Sequence, residues 1–553
     1  MTVEQVENII RDFPFATIEK PFIVAEDGTI TGSLGILDSS MPNALIFRAD
    51  IHKVYPYKFQ GEEPIYFFNS ELIDYPHIMA GGSLCFHTSY WTDEEERLRS
   101  DIAQLHKWVK DYFIDGKKDG HYEHIVVENS IVDDSYYAIH FTQPDVYPSE
   151  DEYGFAFVSS MRNGIHKEKT VKNLLLNFFG ESKKKDIRNC TWGNIYKNQP
   201  CDPCPYVILK TIPAIHGKFA PTHFDELEPY FSKEQLSFLH TFEKANFKKY
   251  NGHQIPLLIG YKIPNGNLHW QAAIIKVGEF PIHGIPVINN GVKTGEWRTL
   301  FNDEKISWAM TFDSSSNLFY GRGAFGEEFT KKNILILGVG AVGSIVAKTL
   351  AKCGCHRLTL CDYDIKKPEN VCRSEYNFIS GACDKSFELA HILSESCPQI
   401  NVIPLTNEIE CLIKSISYNH TLSDKVREML SQYDVIFDCT TDDDTMVILE
   451  QLNISAKVVN ISITNHAKEL VCAFSPMISS FVKTSFGTIL SEDLNDMYEP
   501  TGCWSPTFKA SYNDIALMVQ YAIKHIYRMI NEEEPIHNFI LRDSENGLQI
   551  TRY

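Results

Sequence analysis

The residue order at one strand–helix junction restricts both the local fold and the kind of ligand it can hold. An apolar run at residues 334–337 is followed by three glycines, Gly338, Gly340 and Gly343. Glycines at these spacings let the backbone approach a phosphate at a helix N-terminus, where free N–H groups and the helix dipole favour an anion. A second apolar run ends at Asp362, where an acid can bond a ribose hydroxyl. The sequence therefore predicts a nucleotide site at this junction.

The pattern around this junction predicts the fold of the C-terminal third. From about residue 318, apolar runs of strand length alternate with helical patterns. The predicted strands are 334–337, 358–360, 402–405, 435–438 and 458–463, and a late helix is predicted across 515–526. Strands that alternate with helices indicate a parallel sheet with helices on both faces. We therefore predict an α/β, Rossmann-like domain.

Length and turn signals predict three domains. At 553 residues the chain can bury more than one core. A turn-rich, acidic stretch at 142–154 predicts a boundary. The predicted domains are 1–150, 151–317 and 318–553. A helical pattern at 94–113 lies among strand-like runs in the first, and the predicted strands 205–212, 254–263 and 270–277 lie in the second, so α+β folds are expected for both.

Composition restricts the partners. A formal net charge of −20 disfavours nucleic-acid binding, because neutralising phosphates needs a basic surface. The sequence has no run of 18 apolar residues, so no membrane span is expected. The N-terminus lacks the basic and apolar regions of a signal peptide. The 14 cysteines are scattered without a pairing pattern, which predicts reduced thiols in the cytoplasm.

The residues after Asp362 indicate which class of nucleotide is bound. Asn370 and Arg373 follow in N-V-C-R, Lys385 lies in G-A-C-D-K-S, and a later strand ends in D-C-T-T-D-D-D with Asp442. A triphosphate needs positive groups and a metal, whereas a pyridine dinucleotide does not. Amide and cationic side chains supply donors, and an acid at a strand end can hold Mg²⁺. These residues favour ATP over a dehydrogenase cofactor.

Together these motifs resemble the adenylating domain of the ubiquitin-activating, ThiF and MoeB superfamily, over about residues 318–535. The resemblance implies that Asp362 binds ribose and that Asp442 holds Mg²⁺. The remaining implied triphosphate contacts are Asn370, Arg373 and Lys385. The D-C-T-T-D-D-D run is one residue longer than the usual pattern, so Asp443 remains the alternative metal ligand.

Two further features of that superfamily bear on this chain. The segment F-Y-G-R-G resembles its upstream arginine motif, which implies that Arg322 can reach an ATP, including one across a homodimer. The usual pair of C-x-x-C zinc motifs is absent from this region of the sequence. Cys201 and Cys204 form a single pair upstream. Structural zinc normally takes four such ligands, so no structural zinc is expected.

Many members of the superfamily pass an acyl group from the adenylate to a cysteine. Cys503, in P-T-G-C-W-S-P-T-F, follows the last predicted sheet strand in a loop marked by glycine and proline. A thiolate there can act as a nucleophile, and the alternative is a cysteine packed beside Trp504. Cys439, within D-C-T, is interpreted as structural.

A second candidate nucleophile, Cys85, lies far upstream. Residues 15–125 resemble a ubiquitin-conjugating domain: Tyr75-Pro76-His77 aligns with that family's H-P-N turn, and Cys85 follows in G-G-S-L-C. His77 stands where the family has asparagine, and it can either donate to an oxyanion or fix the loop. His87 can act as a base toward an amine or be solvated.

With a conjugating-type domain in front of an adenylating domain, the chain resembles the fused conjugating- and activating-type enzymes encoded beside CD-NTases in bacterial antiphage CBASS operons. That resemblance implies adenylation of a protein C-terminus, transfer to Cys503 and then Cys85, and ligation to an amine of a target. The partner implied is a CD-NTase. The alternatives are an adenylyltransferase for a small sulfur-carrier protein, which needs no Cys85, and a non-catalytic nucleotide-binding adaptor.

Overall fold

The computed structural model describes residues 1–58, 61–85, 88, 93–117, 125–180, 188–197, 199–263, 266–289, 292–489, 509–531 and 533–553. In this part of the chain the strands form three sheets and a separate hairpin. No helix in these ranges is both long enough and apolar enough to cross a membrane.

The N-terminal region packs two helices against a small antiparallel sheet with the order β1-β2-β3-β4. Its elements are α1 (Val3–Arg11), β1 (Ala16–Val24), β2 (Ile30–Ile36), β3 (Leu45–Ile51), β4 (Ile65–Phe68) and α2 (Glu94–Trp108). Helix α2 begins where Asp93 accepts a hydrogen bond from the Glu96 N–H, as an N-cap residue does. It continues into a wider helical turn, Val109–Ile114. Leu105 and Phe47 are fully buried in the shared core.

The middle region is built on a mixed sheet with the order β12-β11-β10-β6-β8-β5-β15. Its elements are β5 (Ser135–Phe141), β6 (Tyr153–Ser160), β7 (Gly164–His166), β8 (Lys169–Phe179), β9 (Arg188–Asn189), α3 (Asn194–Lys197), β10 (Asp202–Leu209), α4 (Lys233–Tyr250), β11 (Gln254–Lys262), β12 (Leu268–Lys276), the hairpin β13 (Ile282–Asn289) and β14 (Val292–Phe301), and β15 (Met310–Asp313). Strand β5 precedes residue 150, so this sheet begins before the predicted domain boundary.

The C-terminal region forms an eight-stranded sheet with the order β18-β17-β16-β19-β20-β21-β22-β23. Its elements are α5 (Ser316–Phe319), α6 (Glu327–Thr330), β16 (Asn333–Leu337), α7 (Ala341–Lys352), β17 (Arg357–Cys361), α8 (Pro368–Val371), α9 (Lys385–Ser396), β18 (Asn401–Leu405), α10 (Glu408–Ser415), α11 (Ser423–Leu430), β19 (Val435–Asp438), α12 (Asp443–Leu452), β20 (Lys457–Ile463), β21 (Glu469–Phe474), α13 (Ile478–Ile489), α14 (Tyr512–Ile530), β22 (Phe539–Ser544) and β23 (Gly547–Arg552). The predicted α/β class, its five strands and its late helix are confirmed.

The strand order of this sheet determines where a ligand can bind. Strands β16, β17 and β18 extend the sheet in one direction, and the chain then crosses to β19 on the other side of β16. Leu337 pairs with Cys361 on one side and with Asp438 on the other. The carboxyl ends of these three strands are therefore level, and the order reverses between β16 and β19. In open α/β sheets, ligands bind at this kind of switch point.

The middle and C-terminal regions pack closely through backbone contacts. The Gly193 N–H donates to the Pro398 carbonyl oxygen at 2.7 Å. A Cβ at Gly193 would lie 2.3 Å from the Ile400 carbonyl oxygen. The Gln399 amide also donates to the Ser314 carbonyl oxygen. Only glycine permits this approach at position 193.

Candidate active site

The glycine loop between β16 and α7 is shaped by two steric contacts and one open space. Gly338 has φ +73° and packs against the Thr440 backbone, where a Cβ would lie 2.8 Å from the Cα atom. A Cβ on Gly343 would lie 1.9 Å from the Gly338 carbonyl oxygen. A Cβ on Gly340, the N-cap residue of helix α7, would have no described atom within 4 Å. The loop is therefore tightly packed at Gly338 and Gly343, and the space beside Gly340 is open. This open space lies at the N-terminus of α7, where an anion is favoured.

One peptide of this loop is held from both sides. The Val339 N–H donates to the Asp362 carboxylate at 2.8 Å, and the Tyr376 hydroxyl donates to the Val339 carbonyl oxygen. The other Asp362 oxygen accepts from the Asp364 N–H at 2.8 Å. Burial raises the pKa of Asp362, whereas the Lys385 ammonium and these N–H groups lower it. Asp362 therefore fixes the loop from the end of β17, at the predicted ribose position.

The predicted triphosphate-binding residues lie on the segment that follows β17. Lys385 is buried at the first position of α9, and its ammonium lies 2.7 Å from the Asp364 carboxylate. The Asn370 side chain accepts a hydrogen bond from the Lys367 N–H at 2.9 Å and so caps the N-terminus of the short helix α8. Arg373 is half-buried one turn later. The segment that carries Lys385, Asn370 and Arg373 thus begins at the same edge of the sheet as Asp362.

A buried ion pair, which the sequence analysis missed, supports this segment. The Lys366 ammonium lies 3.2 Å from the Glu388 carboxylate. It also donates to the Asn377 carbonyl oxygen at 2.7 Å and to the Ser380 hydroxyl at 2.5 Å. Lys366 is 2% exposed, so its charge needs these partners. A lysine does follow the second acid in D-Y-D-I-K-K, and this was the one signal of the pair in the sequence. Its partner, Glu388 on α9, lies far away in the sequence.

Asp442 caps helix α12 beyond the end of β19. One carboxylate oxygen accepts from the Thr445 N–H at 2.9 Å, and the other lies 2.5 Å from the Lys414 ammonium. Burial raises the pKa of Asp442, but these two partners together lower it more, and the net shift is downward. Asp443 is exposed at the next position. Lys414, on α10, was not predicted from the sequence.

The metal assignment rests on few side chains. Within the described residues, no group of three or more histidine, cysteine or acidic side chains is arranged to hold a metal ion. Mg²⁺ commonly takes one or two carboxylates together with substrate phosphates and water. One ionised carboxylate at the switch point, from Asp442 or its neighbour Asp443, therefore fits Mg²⁺ only together with a bound phosphate.

The remaining residues predicted for the adenylating region differ in environment. Arg322 is exposed in the turn between α5 and α6. Cys439 is buried against the glycine loop, and burial raises the pKa of its thiol well above the usual value. Cys503 and Trp504 lie outside the described residues. In the middle region, Cys201 and Cys204 are both buried.

Cys85 lies on the surface beside a cleft of about 210 Å³ lined by side chains of β4 and α2. Its N–H donates to the His77 carbonyl oxygen at 2.7 Å. His77 has φ +61°, in the left-handed region that residues other than glycine rarely adopt. Its Nε2 lies 3.0 Å from the Tyr112 hydroxyl. This contact favours the loop-fixing role for His77, whereas His87 lies outside the described residues.

A buried carboxylate anchors helix α2 beneath this cleft. Asp101 is 1% exposed and accepts hydrogen bonds from the Tyr55 hydroxyl at 2.8 Å and the Thr88 hydroxyl at 2.6 Å. Arg97 Nε lies 3.1 Å from both carboxylate oxygens. Burial raises the pKa of Asp101, and these donors oppose that shift. The network ties the segment after Cys85 to the helix.

Comparison with protein families now identifies two of the three regions. Residues 320–486 match the ThiF family model, and residues 145–313 match the model of the Cap2 central linker domain. The C-terminal region is therefore a ThiF-family domain, which confirms the resemblance to the ThiF and MoeB superfamily. More particularly, the chain places this domain directly after a Cap2-type linker domain, an arrangement that agrees with the predicted fused enzyme.

Two relatives share parts of the sequence. The ATP-dependent ubiquitin transferase-like protein Cap2 of Enterobacter hormaechei subsp. hoffmannii (strain UCI 50) is 25% identical over 411 residues, which cover 70% of this chain and 66% of that protein. The match thus spans just under two thirds of that relative. A protein of Sinorhizobium fredii (strain NBRC 101917 / NGR234) named y4qC is 29% identical over 109 residues, or 20% of this chain and 18% of that one.

Solved structures overlap with the chain less well. A structure of E. coli MccB with AMPCPP and MccA is 14% identical, covers 41% of this chain and 64% of its own, and has a TM-score of 0.29. A structure of PaaA is also 14% identical, covers 40% and 64% respectively, and has a TM-score of 0.29.

The glycine loop gives a stability prediction with an internal control. Gly343→Ala should lower the free energy of unfolding by about 1–3 kcal/mol, because its methyl group overlaps the Gly338 carbonyl oxygen. Gly340→Ala, where the space is open, should change it by less than about 1 kcal/mol. Urea unfolding of both variants measures the difference. Equal stabilities would contradict the close approach at Gly343.

Proposed function

We propose that this chain is an ATP-dependent enzyme that adenylates the C-terminus of a protein and transfers the acyl group through two cysteines to an amine. The main support is the convergence of three strand ends at the β16–β19 switch point. These ends bring together the open glycine loop, Asp362, the segment bearing Asn370, Arg373 and Lys385, and Asp442. An anion-binding loop beside cationic donors and an ionised carboxylate suits a magnesium-bound triphosphate.

In the first step, each residue has a role set by its position. Asp362 holds the glycine loop in shape and accepts from the ribose. Lys385, Asn370 and Arg373 donate to phosphate oxygens, and Arg322 contributes across a homodimer. The carboxylate of the substrate attacks the α-phosphorus, which forms the acyl-adenylate and releases pyrophosphate. Asp442 would hold Mg²⁺, which would supply neutralisation of the phosphate charge.

In the later steps, the acyl group moves between thiols. The Cys503 thiolate attacks the acyl carbonyl and AMP leaves. The Cys85 thiolate then attacks that thioester and releases the Cys503 thiolate. A target amine attacks the Cys85 thioester, forms an amide and releases the Cys85 thiol. The exposed position of Cys85, on a turn fixed by His77 and Tyr112, supports its role as acceptor and donor, because thioester transfer needs an accessible thiolate.

The setting is inferred from the relatives. The Cap2 match supports ubiquitin-like transfer, and the combination of linker and ThiF domains supports a place in a CBASS operon. The activated protein is then a CD-NTase, and the enzyme acts in the cytoplasm without binding nucleic acid or membrane. A sulfur-carrier adenylyltransferase, the main alternative, has no use for the ordered Cys85 turn.

Pyrophosphate exchange tests the metal assignment. Asp442→Asn keeps an N-cap acceptor for α12 but removes the charge, so ATP–pyrophosphate exchange should fall by about 100-fold. Asp443→Asn, the neighbouring change on the exposed position, should leave the rate within about twofold of the wild type. The reverse result would assign the metal to Asp443, and no effect of either change would refute a carboxylate ligand here.

Non-reducing gels test the thiol relay. The full chain is incubated with ATP, Mg²⁺ and the proposed CD-NTase substrate, and thiol-sensitive adducts are resolved. Cys503→Ala should remove both adducts, because the relay begins there, whereas Cys85→Ala should retain one. Cys411→Ala, which removes another exposed thiol, serves as the control and should retain both. Full product yield from both Cys85→Ala and Cys503→Ala would exclude the relay.

A further inference from the structure

The turn that carries His77 is held by groups from two different domains. Within its own domain, the Trp108 indole N–H donates to the Pro76 carbonyl oxygen at 3.1 Å. From the middle region, the Lys218 ammonium donates to the Tyr75 carbonyl oxygen at 2.5 Å. His216 Nδ1 lies 2.7 Å from the Asp74 carboxylate. Three consecutive residues, 74–76, are therefore each held by a separate partner.

Lys218 is a buried cation with an unusual partner. It is 5% exposed, and its ammonium lies 5.1 Å from the centre of the Phe219 ring. It makes no ion pair with any carboxylate in the described part of the chain. A buried charge is costly without a compensating partner, so the Tyr75 carbonyl is its main compensation. Burial lowers the pKa of Lys218 to about 8, although Asp74 raises it, so the ammonium stays mainly charged at neutral pH.

The loop that presents Lys218 is itself firmly placed. His216 and Gly217 have φ +51° and +70° and form a tight turn. The Val126 N–H donates to the Lys218 carbonyl oxygen at 2.6 Å, and the Ala220 N–H donates back to Val126 at 3.0 Å. The Lys218 side chain is thus aimed at Tyr75 from a turn that is braced by the segment between α2 and β5. Its position does not depend on the exposed His216–Asp74 pair, which contributes little.

From this geometry we propose that Lys218 is a positioning residue of the linker domain that holds the Tyr75-Pro76-His77 turn and thereby sets the orientation of Cys85. The coupling between Lys218 and Cys85 is short. His77 lies two residues after Tyr75, and its carbonyl oxygen accepts a hydrogen bond from the Cys85 N–H. The role rests on the proposed thiol transfer at Cys85, and it assigns the linker domain a part in that step. Adenylation at the distant glycine loop should not depend on it.

The test compares Lys218→Met, which keeps an apolar stem but loses the ammonium, with Lys210→Met. Lys210 is an exposed lysine of the same domain. With the full chain, ATP, Mg²⁺ and the proposed CD-NTase substrate, Lys218→Met should keep the wild-type rates of pyrophosphate exchange and of the first, Cys503-dependent adduct. Formation of the Cys85 adduct should slow by about tenfold, because small misplacements of reacting groups are costly. Lys210→Met should match the wild type throughout.

Hydrogen exchange of the Cys85 amide gives a readout that does not require transfer. In Lys218→Met this amide should exchange faster, because its acceptor turn has lost a support. Lys218→Arg, which retains a donor, should restore both protection and transfer. Unchanged protection in Lys218→Met, or lost protection with undiminished transfer, would overturn the positioning role.

Two further outcomes separate this inference from the proposed function. If the wild type forms no Cys85 adduct, the relay is wrong, and the exchange comparison alone decides whether Lys218 orders the turn. If Lys218→Met loses its fold, seen as lost pyrophosphate exchange, Lys218→Gln, which removes the ammonium but stays polar, replaces it. Slower Cys85 transfer in Lys218→Gln than in Lys218→Arg supports the inference, and equal transfer in the two variants overturns it.

Discussion

The candidate nucleotide site depends on a single immobilised peptide, that of Val339. Its N–H is held by Asp362 and its carbonyl by Tyr376, so a glycine loop that could adopt many conformations is fixed in one. Fixing the loop before a ligand arrives avoids an ordering cost at binding. Asp362 thereby serves the fold, which explains why an acid is needed at the end of β17 even without a nucleotide.

Local patterns in the sequence were sufficient to predict the strand, loop and helix of this part of the molecule. The strand–glycine–helix pattern near residue 338 and the acid at 362 lie within one contiguous segment, and the periodicity of the apolar runs predicted the parallel strands. The antiparallel strands β21–β23 were not predicted as a continuation of the sheet. Their pairing connects β21 to β22, more than 60 residues later, and no local pattern indicates such a partner.

The contacts missed by the sequence analysis share this cause. Lys414 and Asp442 are 28 residues apart, and Lys218 and Tyr75 are 143 residues apart. Each contact is made by a lysine whose neighbours in the sequence suggest an ordinary surface residue. The predicted residues could be named from motifs, but the groups that orient them come from distant elements, and only the folded topology brings them together.

The distribution of thiols has a consequence for the proposed acyl transfer. Cys439 lies beside the glycine loop, yet it is buried and its pKa is raised well above normal. A protonated, enclosed thiol is a poor nucleophile. Under the proposed function, Cys439 is thus a poor acceptor for an acyl group formed at the loop, whereas Cys85 presents its thiol at the surface.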